Sequence, residues 1–353
     1  MKKSEQTVYW IKLTLIFIFL LHSGRMLASA QLKPPTKDRG IFTFTLENDV
    51  WLYLDDGYTN GLKFGWISPQ LEGGKHPGFL SFMYRLNHGL LRGKHKGKDQ
   101  LSGEQRFFAF SLHQGIFTPE DLSRADFSPD DRPYAGLLAV NTHLVRITIN
   151  TQDVFGLTAG IVGPHSLAEK AQTWLHETYD WARPRGWKNQ LKDEPVLNLW
   201  FGRTWLFYRG NDENDGFQYG AKTGVNAQLG NLVTSAGGLL ELGLGWNFRP
   251  ELEVCSPAPF FGDLSLGRVK KFSIFGYVRA EGRVVARNLL LQGNTFVSSP
   301  GVKINHLYGQ ITTGLGYRNA FSSARFYLVL RSKEFLGQKY YDPYVGLTVD
   351  LNL

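Results

Sequence analysis

Cysteine is nearly absent: Cys255 is the single one in 353 residues, so no disulfide can form within the chain and thiol redox chemistry lacks a second partner. Long apolar runs are missing too. Past the N-terminal segment nothing approaches the roughly eighteen consecutive apolar residues that would suggest a membrane-spanning helix. None of Ser111, Ser123 and Ser166 sits in a Gly-x-Ser-x-Gly turn, the strained elbow that exposes a serine nucleophile. No linker divides the chain into two domains. Nucleic-acid modules are also lacking, although the formal net charge is +8 and the pI about 9.4. The basic residues are dispersed, apart from Arg92, Lys94, Lys96 and Lys98 with His95. A membrane surface or anionic lipid headgroup is therefore a better partner than nucleic acid.

Among the features that are present, the N-terminus bears on compartment. Lys2 and Lys3 precede the apolar stretch Trp10–Leu21, broken only by Lys12 and Thr14, and Ala28-Ser29-Ala30 supplies small residues before Gln31. This pattern predicts a signal peptide over residues 1–30, cleaved to release an exported single domain over 31–353.

The exported part reads as strands with a period of two. The predicted set is Ile41–Leu46, Leu62–Trp66, Gln105–Phe117, Ala135–Ile149, Val154–Val162, Pro195–Tyr208, Phe217–Gly230, Gly237–Phe248, Lys271–Ala286, Asn305–Tyr317, Ala324–Phe335 and Pro343–Leu353. Gln70–Gly103 and Thr118–Arg132 read as loops. In Gly237–Phe248, Leu240, Leu242, Leu244, Trp246 and Phe248 share one face, opposed by Glu241, Gly243, Gly245 and Asn247. In the last strand Val345, Leu347, Val349, Leu351 and Leu353 oppose Tyr344, Gly346, Thr348, Asp350 and Asn352. A soluble sandwich also alternates, but its strands are usually shorter. Here the polar face carries glycines and isolated charges, as a barrel lumen does. Trp51, Tyr53, Trp66, Tyr208, Trp246, Tyr340, Tyr341 and Tyr344 stand near strand ends like girdle residues. The expected fold is all-β: a twelve-stranded antiparallel outer-membrane barrel, integral to the bacterial outer membrane.

Two stretches exceed what a barrel requires. Glu47, Asn48 and Asp49, followed by Asp55, Asp56, Thr59 and Asn60, gather hard oxygen donors at one hairpin end. Asp, Asn and Gly also populate turns for backbone reasons, so an ion site and a polar turn are both open. The second stretch, Ser166–Trp181, has helical rather than strand spacing: Leu167, Ala171, Trp174, Leu175 and Thr178 recur on one side, with Ser166 as the expected N-cap. Gln172 and His176, four apart, share a face of this short inserted helix.

Taken together, Glu47-Asn48-Asp49, Tyr58-Thr59-Asn60-Gly61, Gln114 with Thr118-Pro119, Asp131-Arg132-Pro133-Tyr134-Ala135-Gly136, Gly163-Pro164, Gln172 with His176, and Gly186-Trp187 with Asn189-Gln190-Leu191 and Glu194-Pro195 resemble the lipid A 3′-O-deacylase (LpxR) family of Gram-negative outer membranes. The resemblance runs from Ile41 to Leu353 and is densest before Pro195. It implies a monomeric twelve-stranded barrel that takes lipid A or lipopolysaccharide among outer-membrane lipids and hydrolyses the ester-linked 3′-acyloxyacyl group, dependent on Ca2+. It implicates Asn48, Asp49, Thr59 and His176 in activity. A family lysine in the loop after the third strand has Arg124 as its counterpart here, a substrate contact. A family glutamate beyond the histidine has Glu177 or Glu194 as counterparts.

The chemistry implied is ester hydrolysis by water. His176 would be the general base; Asp49, Asn48 and Glu194 would hold calcium, a hard cation able to stabilise an oxyanion; Thr59 would bond the ion, a water or the substrate. The alternatives are an outer-membrane phospholipase-type esterase with a serine nucleophile, and a passive porin or lipid transporter, which would use only the barrel.

Overall fold

The computed structural model describes residues 39–353 apart from 53–56, 74–77, 92–103, 211–215, 259, 261–262, 267–268 and 270. The expected signal peptide, Asp55, Asp56 and the Arg92–Lys98 run lie outside the described residues. Twelve strands close into one barrel: β1 (Ile41–Asn48), β2 (Gly57–Ile67), β3 (Gln105–Thr118), β4 (Ala135–Ile147), β5 (Thr151–Val162), β6 (Glu194–Gly210), β7 (Phe217–Gly230), β8 (Val233–Trp246), β11 (Ser273–Asn288), β12 (Leu307–Arg318), β13 (Ser322–Arg331) and β14 (Tyr344–Asn352). Each pairs antiparallel with its neighbours, and β14 returns to β1. No edge is left, as spanning a membrane with strands requires. β9 (Glu253–Val254) and β10 (Leu264–Ser265) form a separate two-stranded ladder.

The period-two pattern sets which way each wall residue points. On β8, Leu240, Leu242, Leu244 and Trp246 are about half exposed on the outer wall, while Glu241 is buried in the lumen. Glu241 meets Lys222 Nζ at 2.5 Å and Arg279 Nε at 2.9 Å. Removing Glu241 would leave the buried Lys222 ammonium without this carboxylate, at roughly 3–5 kcal/mol. One residue departs from its expected face: the strand ends at Trp246, so Phe248 folds inward and stacks on Phe275 at 4.9 Å. Tyr344 keeps the polar, lumenal face that its alternation predicts, edge-on to Tyr58, and so is not a girdle residue.

The end at which β1 begins and β14 finishes has the short turns 148–150 and 319–321, and the opposite rim carries the long connections 119–134, 163–193, 289–306 and 332–343. In such barrels the long loops are extracellular and the short turns periplasmic. Two periplasmic connections are exceptions. The stretch Gln70–Gly103, expected to be a loop, contains a helix at Phe79–Leu90. The described residues of the 247–272 connection fold back into the lumen: Asn141 Nδ2 donates to the Phe260 carbonyl at 2.9 Å, Gln152 Nε2 to the Glu251 carbonyl at 2.9 Å, and Lys222 Nζ to the Glu253 carbonyl at 2.9 Å. Glu253 in turn pairs with Arg318 and Arg325 on the far wall. The lumen is therefore plugged, which removes the structural basis for an open porin. Phe260 carries the plug up to Tyr58 and Phe117, whose ring lies 5.3 Å away, directly beneath the rim.

Candidate active site at the extracellular rim

At the top of β2 the register slips. Tyr58 pairs with Phe117 and Asn60 with Ile116, leaving Thr59 as the extra residue of a β-bulge. A bulge re-aims side chains, so Tyr58 and Thr59 are both buried although adjacent. The Tyr58 hydroxyl donates to Glu47 at 2.7 Å. Thr59 Oγ1 lies 2.6 Å from Thr118 Oγ1 on β3. On the other side, Asp49 N–H donates to the Thr59 carbonyl at 3.4 Å, and Asn48 is opposite Asn60. Asp49 itself is fully buried. Its carbonyl accepts from Leu52 N–H at 2.7 Å, which starts the 3-10 turn Val50–Leu52. The structure thus brings Asn48, Asp49 and Thr59 together and adds Thr118, which stands in the sequence only as part of a motif.

The second component is the helix Ala168–Thr178. Gly163, at φ 109°, turns the chain off β5 into a short 3-10 turn, Pro164–Ser166, and Leu167 enters the helix in the left-handed region. Ser166 is not the cap; its hydroxyl donates to the Gly163 carbonyl at 2.6 Å. Gln114 Nε2 on β3 donates to the Ser166 carbonyl at 2.6 Å, pinning the turn to the wall. Gly136 on β4 has no room for a side chain, since a Cβ there would lie 2.0 Å from Ser166 Oγ and 2.4 Å from Ala168 Cβ. Ala168 also packs with Ile116, two residues before Thr118. The helix is therefore seated on the strands that flank the Thr59 bulge.

Its buried face is Ala168, Gln172 and His176, as the shared spacing of the last two predicts. The expected apolar stripe is the outer one: Leu167 and Trp174 are 47% and 65% exposed. The inward face is held by polar partners instead. Trp187 Nε1 donates to Gln172 Oε1 at 2.8 Å, and His176 Nδ1 lies 2.6 Å from the Ala182 carbonyl oxygen. Trp181 meets the imidazole edge-on at 5.5 Å. A carbonyl only accepts, so Nδ1 carries the hydrogen, and in the neutral ring Nε2 holds the lone pair.

A family model described as outer membrane protein LpxR matches residues 13–353. The chain belongs to the LpxR family. Among solved structures it resembles LpxR from Salmonella typhimurium, with a TM-score of 0.69 and 17% identity over 89% of this chain and all of that one. The toluene transporter TodX of P. putida follows with a TM-score of 0.32 and 9% identity, over 90% of this chain and 91% of that one. No curated protein matches the sequence. Membership and the closed barrel make this an integral outer-membrane protein.

The remaining expected LpxR site residues are placed differently. Glu194 accepts from Asn231 Nδ2 at 3.0 Å, Asn294 Nδ2 at 3.1 Å and Thr295 N–H at 2.7 Å. Oε1 thus holds the turn between β7 and β8 and Oε2 the 289–306 loop, so both carboxylate oxygens already have protein donors. Glu177 is exposed on the outer side of the helix. Arg124 is exposed and lines a cavity of about 490 Å3 between the 119–134 and 332–343 loops, where Glu120, Asp121, Asp126, Asp130, Asp131 and Asp342 outnumber Arg124, Arg132 and Lys339. Burial pushes the Asp131 carboxyl above its ordinary range, although it accepts the N–H groups of Glu120 and Arg132. His165 is exposed, with Nδ1 2.6 Å from Asp193.

No three His, Cys, Asp or Glu side chains converge among the described residues. A calcium site at the bulge would draw on the Asp49 carboxylate, the Asn48 amide, threonine hydroxyls, backbone carbonyls and water. That donor set is all hard oxygen and fits Ca2+, which accepts each of these types.

Proposed function

We propose that the protein is a lipid A 3′-O-deacylase that hydrolyses the ester-linked 3′-acyloxyacyl group by direct attack of water. One observation carries this reading: the Nδ1 hydrogen of His176 is committed to the Ala182 carbonyl, so in the neutral imidazole Nε2 is the nitrogen that carries the lone pair and can take a proton. His176 Nε2 would deprotonate the attacking water, and the oxygen would add to the ester carbonyl carbon. On collapse, the sugar 3′-oxygen leaves and takes the proton back from His176, releasing a carboxylic acid and a 3′-hydroxyl. Asp49, Asn48 and the Thr59–Thr118 pair would hold the calcium ion and the substrate carbonyl. When bound, calcium supplies positive charge for the developing oxyanion. Arg124 would contact a lipid A phosphate from the rim cavity, within an acidic surround that makes this contact selective rather than strong.

A serine nucleophile is disfavoured by the contacts of the available serines. Ser166 donates to Gly163, Ser123 donates to Asp121 at 2.6 Å on an exposed loop, and Ser111 is buried on the lumenal face of β3. The test is mass spectrometry of lipid A from cells with and without the protein. Loss of the mass of one acyloxyacyl group supports the reading. An unchanged lipid A alongside hydrolysed phospholipid would replace it with the phospholipase alternative.

A further inference from the structure

The helix Phe79–Leu90 lies on the outside of the barrel. Phe108 shares its outward face with the exposed Phe110 and Leu112, whereas Ala109 and Ser111 face the lumen. Phe108 and Leu144 pack with Met83, Leu80 and Tyr84 of the helix. Asn87 fixes the helix to the strands: its Nδ2 donates to the carbonyls of Phe107 and Val145 at 3.1 and 2.9 Å, and its Oδ1 accepts from Arg106 at 2.6 Å.

Its height on the wall is marked by charge. Just towards the periplasm from Phe108, an outward-facing ion-pair belt runs across β3–β6: Arg106 to Glu104 at 2.7 Å, Glu104 to Arg146 at 2.9 Å, Arg146 to Asp153 at 2.9 Å, and Asp153 to Arg203 at 2.5 Å. Charges on the lipid side of a barrel belong at or beyond the interface. The helix bridges the last apolar ring and this belt, so it sits at the hydrocarbon boundary.

The two flanks beside its buried face differ in kind. At 3.6 residues per turn, Phe79, Phe82, Leu86 and Leu90 fall on one flank, and Arg85 and His88 on the other. The apolar four are exposed by 59%, 52%, 37% and 50%. They continue the lipid-facing wall directly: the Phe79 ring meets Phe108 edge-on at 5.4 Å, and Phe108 lies 6.4 Å from the outward Phe110.

We propose that this helix is an interfacial anchor lying in the plane of the periplasmic leaflet. Phe79, Phe82, Leu86 and Leu90 enter among phospholipid acyl chains, and Arg85 and His88 face headgroups and water. The inference is independent of the catalytic reading, because the helix is at the opposite end of the barrel from the bulge and His176.

The test uses the full-length protein in phosphatidylethanolamine–phosphatidylglycerol liposomes, with a bimane probe on F82C or R85C. Cys255 is buried, so the unsubstituted chain is the labelling control. The F82C probe is expected to lose fluorescence to doxyl-labelled lipid and to be shielded from iodide on both sides of the membrane, with the R85C probe showing the reverse. L86C repeats the measurement on the same flank should F82C fail to give a heat-modifiable barrel. Equal iodide quenching at 82, or 86, and 85 would overturn the proposal, because a face left in water or awaiting a protein partner would give that result.

Discussion

Thr59 and Thr118 face each other across β2 and β3 with their hydroxyl oxygens 2.6 Å apart, and they do so because Thr59 is the bulged residue. One hydroxyl of the pair orients the other. Thr118→Val should lower lipid A hydrolysis by about fivefold, the equivalent of ~1 kcal/mol for one hydrogen bond, with the barrel still heat-modifiable. Thr59→Ala should fall further, between Thr118→Val and loss of the histidine. Wild-type rates for both variants would show that the bulge serves folding alone.

The seat of the helix is tested at Gly136. The Cβ of Gly136→Ala has to displace Ser166 and Ala168, an overpacking that costs roughly 1–3 kcal/mol. Limited proteolysis within residues 163–193 should accelerate and activity should drop, while the barrel stays intact. Unchanged proteolysis would mean that the helix is held elsewhere.

The outer ion-pair belt predicts a pH response. Burial works to raise the Glu104 carboxyl, but Arg146 and Arg106 outweigh it and hold it below its ordinary value. A depressed carboxylate contributes stability in full above its unfolded value, about 4.3, and that contribution is lost as pH falls through the native value. The temperature of heat modification should therefore decline on acidification below about pH 4.3, less steeply in Glu104→Gln. Identical pH profiles for the two proteins would remove Glu104 from this role.

Chelation tests the ion. A calcium-selective chelator should abolish deacylation by the wild type and added calcium should restore it, whereas Asp49→Asn should need far more calcium. Since Asp49 brings a full negative charge, removing it weakens a hard-cation site more than loss of a hydroxyl would. Full activity in chelator would leave the rim cluster as a polar turn.

The barrel was legible because a wall between lipid and lumen imposes a strict period of two, as in Leu240, Glu241, Leu242 and Gly243. The shared face of Gln172 and His176 was legible for the same kind of reason, one turn of helix. The rest depends on contacts that no local pattern carries. Thr59 meets Thr118 only through a register slip against β3. The Phe79–Leu90 helix is hidden by the glycines and lysines around it, and its buried face includes a polar residue, Asn87, that binds strand carbonyls. The plug at 247–272 is held by single long-range bonds such as Lys222 to Glu253. The inserted helix turns its apolar stripe outward because the Trp187 indole and the Ala182 carbonyl engage its polar face. The donors that Asn231, Asn294 and Thr295 bring to the Glu194 carboxylate come from two distant loops and leave no mark in the local sequence.

The account rests most heavily on His176, and the direct measurement is release of the acyloxyacyl group from lipid A by purified, heat-modifiable barrels of the wild type, His176→Ala and His165→Ala. The wild type should release it. His176→Ala should be slower by roughly 10²–10⁴-fold, the range for a positioned general base, and His165→Ala should keep most of the activity because its ring is exposed and paired with Asp193. Near-wild-type release by His176→Ala would contradict the account.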